Sequence, residues 1–150
     1  METIFKELKA ELLLKAKNNN ACKSGYEQAE KCETEKELLQ VIADNFCWIW
    51  TSKTMTIEDL NRFDSELLQS VGIFANYEGD IKSDLNRFII VGSSAPRIET
   101  YDSSAPTIET YDSSSPRISG FTKCIIENNL SLILDTDNSI IYKSDKWQVK

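Results

Sequence analysis

Residues Ser93–Gly120 constrain the fold more than any other stretch: SSAPRIETYD is followed by SSAPTIETYD, then by SSSPRISG. The first two units differ at one position, Arg97 against Thr107. A fixed period means that each unit meets neighbours of its own chemistry, so the stretch should fold as repeated supersecondary units. Each unit carries a proline (Pro96, Pro106, Pro116), which donates no ladder hydrogen bond and belongs at a strand start or corner. The β-branched residues after it suit a strand. Two arrangements accommodate this. One is an antiparallel meander pairing Ile98 with Ile108 across the loop Tyr101 to Ala105. The other, favoured here, is a β-solenoid-like stack in which a shift of ten places Ile98 on Ile108 on Ile118, Thr100 on Thr110 and Tyr101 on Tyr111. Such a stack also sets Glu99 on Glu109, a like-charge contact that solvent and the nearby Arg97 and Arg117 relieve. A recent duplication would produce the same near-identity without dictating any stacking.

Upstream, the periodicity is helical. Ile4, Phe5, Leu8, Leu12, Leu13 and Ala16 recur at three-four spacing and predict an amphipathic helix over 2–17. Ser24 with Glu27, and Thr34 with Glu37, read as capping boxes opening two more helices. Tyr26, Ala29 and Cys32 share the inner face of the first, and Leu38, Leu39, Ile42, Ala43 and Phe46 that of the second. After the polar connection Thr51–Thr54, Thr56 caps a single further helix over TIEDLNRFDSELLQSVG, ended by Gly72. Beyond it, apolar β-formers cluster every eight to ten residues between turn-rich segments, as in an all-β region. The expectation is an α+β chain: a helical region of about four helices over 1–75, a connector over 76–87 and a β-repeat region over 88–150, the whole compatible with one continuous domain.

Composition removes several functions. The net charge of −7 and pI near 4.7 argue against direct nucleic-acid binding, which needs a clustered basic face. The first residues lack the apolar core of a signal peptide, and no apolar run is long enough to span a bilayer, so a cytoplasmic protein without membrane contact is expected. The chain has no histidine, which removes the commonest general base and most catalytic zinc sites. Cys22, Cys32, Cys47 and Cys124 have no CxxC pairing and read as small buried hydrophobes. The five glycines are scattered, so no phosphate-binding loop exists. Asp135–Ser139 opens like a calcium loop, but Ile140 and Lys146 stand where that loop needs Gly and Glu. Glu99, Glu109, Asp102 and Asp112 suit solvated strand edges better than a hydrolytic pair. No catalytic residue, metal site or cofactor is expected, and the chain is read as a non-enzyme.

Six residues are candidates for protein contact. Tyr101 and Tyr111, flanked by Glu99 and Glu109, would line one edge of a stacked β surface. Trp48 and Trp50 would either anchor a partner or fill the junction between helices and strands. The units YDSSAPTIETYDSS resemble the tandem YDSATV-type repeats of uncharacterised bacterial and mobile-element proteins, in which a helical region with an AC..G segment precedes the repeats; Ala21-Cys22-Lys23-Ser24-Gly25 matches that segment. The resemblance covers residues 21–72 and 90–142 loosely and departs in the longer period and the prolines. It implies the same architecture and a phage or mobile-element origin, and it transfers no site. The expected function is protein interaction, such as inhibition of a host defence protein in the manner of an anti-CRISPR. The alternative is a structural module in which helices cap a homo-oligomerising β stack.

Overall fold

The computed structural model describes residues 2–81, 85–99, 107–112, 117–119, 123–126, 133–134 and 140–143. It combines helices and strands, as an α+β chain should, in two compact units, 1–71 and 72–150.

The first unit contains α1 (Glu2–Asn18), α2 (Lys23–Lys31), α3 (Glu35–Asp44), α4 (Phe46–Thr51), α5 (Ile57–Leu60) and α6 (Ser65–Ser70). Six helices replace the expected four because polar side chains interrupt two apolar stripes. Asn45 ends α3: its N–H donates to the Val41 and Ile42 carbonyls and its side-chain amide donates to Val41 O at 2.8 Å. Asp64 divides the stretch after Thr56, because its carboxylate accepts from the Glu66 and Leu67 amides and starts a fresh helix. The Thr34–Glu37 capping box forms as expected, and Thr56 makes a second box with Asp59. At α2 the expected Ser24–Glu27 box is absent. The helix is capped two residues earlier, by Cys22, whose sulfur accepts from Gly25 N at 3.4 Å.

Leu8, Leu12, Leu39, Ile42, Phe46 and Leu60 are buried within this unit. The inward stripe of α1 starts with half-buried Phe5; Ile4, expected on the same face, is 66% exposed. Asp59, only 4% exposed, closes its own capping box and accepts from Lys15 Nζ at 3.0 Å and 3.2 Å, tying α1 to α5. That bond raises the Lys15 pKa. Among the described residues no helix is long and apolar enough to cross a membrane.

The second unit starts earlier than expected. Strands β1 (Ile73–Ala75) and β2 (Glu78–Ile81) occupy the end of the anticipated helical region and much of the anticipated connector. They are followed by β3 (Arg87–Val91), β4 (Ala95–Glu99), β5 (Thr107–Thr110), β6 (Arg117–Ser119), β7 (Lys123–Ile126), β8 (Ile133–Leu134) and β9 (Ile140–Lys143). Gly72 ends α6 at φ 85°, a left-handed conformation; an added Cβ would stand 2.5 Å from the Arg87 carbonyl oxygen, so only glycine fits.

Odd-numbered strands form one sheet, in the order β1-β3-β5-β7-β9, and even-numbered strands another, β2-β4-β6-β8. Every pair is parallel, which overturns the antiparallel meander. It also corrects the stacking by ten. Ile98 pairs in register with Ile81 and Ile118, whereas Ile108 pairs with Phe88 and Cys124. One ten-residue unit therefore carries the chain from one sheet to the other, and the same sheet is regained only two units later, as from Arg97 to Arg117. Elsewhere the return is shorter, as from Ile73 to Ile89. Inward side chains of both sheets share one core of Phe74, Ile81, Phe88, Ile90, Ile98 and Ile108.

Three residues that follow strands of the odd sheet are left-handed: Asn76 (φ 48°), Gly92 (φ 73°) and Asp112 (φ 57°), residue types that tolerate this region. They also bond between successive levels. Asn76 Oδ1 accepts from Ser93 N at 2.8 Å, and Asp112 Oδ2 accepts from Gly92 N at 3.2 Å. The buried Ser94 hydroxyl accepts from Tyr77 N at 2.8 Å and reaches Val91 O at 2.7 Å. The Ser and Asp of the repeat thus hold corners. Pro96 is buried as the second residue of β4; Pro106 and Pro116 lie outside the described residues.

Two predictions concern the helical unit. Backbone bonds from Glu33 and Thr34 lower the Glu37 pKa. A lowered carboxylate stabilises the fold above its unfolded pKa of about 4.3 and loses that contribution as pH falls through the lower folded value. Denaturant midpoints followed by far-ultraviolet circular dichroism should therefore fall less steeply in acid for Glu37→Gln than for the native chain. Replacing Asp59 by Ala removes a cap and the buried partner of Lys15, and should lower stability by about 2–3 kcal/mol in the same measurement.

Candidate functional site

The repeat places Glu109 and Tyr111 in a closed polar group. Strand alternation puts Arg87 and Glu109 on the same face of the odd sheet as diagonal neighbours, since Arg87 pairs with Thr107 and Glu109 with Ile89. Arg87 grips Glu109 with two parallel bonds, Nε to Oε1 at 2.8 Å and Nη2 to Oε2 at 3.0 Å. The Tyr111 hydroxyl donates to the same Oε2 at 2.8 Å. Tyr111 is 0% exposed, which corrects its reading as part of an open recognition edge. Its ring is buried, and its hydroxyl anchors Glu109. The other half of the expected ladder, Tyr101, lies outside the described residues, as does the side chain of Glu99, whose backbone pairs with Ser119 rather than stacking on Glu109.

The one difference between the first two units falls beside this group. Position 97 lies in the even sheet, exposed, between Asp80 and Arg117 in register. Position 107 lies in the odd sheet beside Arg87. An arginine there would pair with Arg87, as Arg97 pairs with Arg117 on the even sheet, but beside a guanidinium that Glu109 already holds. The exposed side chains described on the even sheet are Glu78, Asp80, Ala95 and Arg97.

The two tryptophans lie in the helical unit. Trp50 stacks on Phe46 with ring centroids 5.3 Å apart. Trp48, 37% exposed, helps to line an apolar cleft of about 300 Å³. The walls include Leu13 and Ala16 of α1, Tyr26 and Ala29 of α2, and Val41 of α3, all half-buried because the cleft stands in front of them. Helix α2 buries no residue fully and is tied to α1 at its C-terminal end. Cys22 caps the start, and Lys9 Nζ donates to the carbonyls of Glu30 in the last turn (2.6 Å) and of the C-cap Cys32 (2.7 Å). Adjoining the cleft, and sharing Ala21 and Tyr26 with it, is an open polar hollow containing Lys17 and Lys23.

The stripes of Leu13, Ala16, Tyr26 and Ala29 are present in the sequence as ordinary amphipathic faces. Nothing in their spacing distinguishes a face that meets another helix from one that meets a cleft. Lys9 likewise carries no local signal, because its acceptors are more than twenty residues away. Of the cysteines, Cys32 is buried, with its pKa raised by burial, whereas Cys22 and Cys47 are exposed, against expectation; the Cys124 side chain lies outside the described residues. Among the described residues no three of Cys, Asp and Glu gather as a metal-ligand set. Compared with protein-family models, curated proteins and solved structures, the chain matches none.

Thr107→Arg should destabilise the β unit by about 0.5–1 kcal/mol, the cost of like charges on neighbouring strands. Glu109→Ala removes the acceptor shared by Arg87 and Tyr111 and should cost about 3 kcal/mol. Amide exchange of Tyr111, whose N–H donates to Ile90 O at 2.8 Å, reads both effects; equal protection in native and variant chains would contradict this account.

Proposed function

We propose that the chain is a non-enzymatic protein-interaction protein whose β unit is a short two-sheet β-solenoid that displays charge at fixed intervals to a protein partner. The single observation carrying this reading is the register Asp80–Arg97–Arg117 on the even sheet, which repeats a charged position at the spacing of adjacent strands. Stacked parallel repeats create extended binding surfaces in this way. Arg stands at 97 and 117, the two positions of this series on the even sheet, and Thr at 107 on the odd sheet. The proposal includes an origin in a phage or mobile element, action in the cytoplasm, and a host defence protein as the partner, in the manner of an anti-CRISPR.

The test is affinity capture from host lysate with the native chain and with Arg97→Glu/Arg117→Glu. One stoichiometric protein retained by the native chain and lost from the variant is expected. No stoichiometric partner, or equal capture by the two chains, would sink the reading. A second reading, homo-oligomeric assembly, is favoured by the open ladders at β8 and β9, which end their sheets among the described residues. Light scattering across micromolar concentrations distinguishes it, since assembly predicts a mass that rises with concentration.

A further inference from the structure

We infer that the apolar cleft of the helical unit, with the lysine hollow beside it, is a binding site for a free medium-chain carboxylate. This site is separate from the charged face of the β unit.

Three observations carry it. The first is the cavity itself. About 300 Å³ lies at the lower end of small-molecule sites, and its lining is almost wholly apolar, as in sites that bury a hydrocarbon body. Its wall residues, Leu13, Ala16, Tyr26, Ala29 and Val41, are held half-exposed to the cleft, and a bound chain would remove that apolar surface from water.

The second is that the opening is built rather than accidental. Lys9 of α1 pins the C-terminal end of α2, so the helix keeps its place without fully burying any residue. A preformed cleft binds without the cost of ordering its walls.

The third is charge. The chain is acidic overall, yet residues 12–26 contain three lysines and no acid. Lys15 is committed to Asp59 and Glu11. Lys23 has only a long contact of 3.7 Å to Glu27, and Lys17 makes no ion pair with any described residue. These two lysines share the hollow that adjoins the cleft at Ala21 and Tyr26. A molecule with an apolar tail in the cleft and a carboxylate in the hollow satisfies both halves. A neutral tail leaves the ammonium groups unused, and a cationic head is repelled.

Calorimetric titration of the full chain with decanoate, decanol and decyltrimethylammonium, each below its micelle concentration, tests the inference. Decanoate should bind most tightly and decyltrimethylammonium most weakly. Lys17→Glu/Lys23→Glu should weaken decanoate about tenfold while leaving decanol unchanged. Added salt should weaken decanoate alone. Ala29→Trp, which fills the cleft, should abolish binding of decanoate and decanol. Ala16→Phe, with circular dichroism to confirm folding, repeats that arm if Ala29→Trp does not fold. No binding of decanoate, equal affinity for the three probes, or unaltered binding in the filled cleft would overturn the inference. Vesicles of phosphatidylglycerol binding more tightly than decanoate would assign the site to a membrane surface and overturn it equally. None of these outcomes bears on capture of a protein by Arg97 and Arg117.

Discussion

The β unit depends on one shared layer of side chains. Phe74, Phe88, Ile90 and Ile108 from the odd sheet and Ile81 and Ile98 from the even sheet fill the space between the two sheets. Strand alternation means that each strand contributes every second residue to this layer. The even sheet cannot slip by one residue without exchanging buried Ile81 and Ile98 for exposed Asp80 and Arg97. The register of β2 and β4 is therefore set by the core, and the bonds at Asn76, Gly92 and Asp112 add to it at the corners of the odd sheet.

The same constraint gives different roles to identical residues. Arg97 and Thr107 are equivalent in the repeat but not in space, because successive units lie in opposite sheets. One faces solvent between Asp80 and Arg117; the other lies beside Arg87, already committed to Glu109 and through it to Tyr111. A repeat of near-identical units thereby acquires two unlike faces, one charged and accessible, the other locked by a bidentate ion pair.

The helical unit shows a different economy of contacts. Long-range polar bonds position its helices: Lys15 to Asp59, Lys9 to the carbonyls at the end of α2, and Asp64 N to Glu35. These bonds fix helix ends more firmly than the middle of α2, and an apolar cleft remains between well-anchored walls. Much of this was legible locally. The Thr34–Glu37 box, the Thr56 cap and the Gly72 terminator depend on atoms within a few residues of one another. The breaks at Asn45 and Asp64 were not legible, because both residues lie within apolar stripes whose period suggests continuation. Their side chains compete for backbone groups that the stripe alone would assign to an unbroken helix.

By itself the sequence determined the class of the chain, the helical and β halves, several caps, and a ten-residue unit with strand-forming residues after each proline. Those are properties of neighbouring residues. The tertiary structure decided that the units alternate between two parallel sheets, so that Ile98 meets Ile118 in register while Ile108 faces inward from the opposite sheet. It also decided that Tyr111 is buried and that a cleft opens in front of α2. The reason is common to all of these: a period records which residues recur, whereas pairing and burial depend on where the chain returns, a non-local choice made by the shared core.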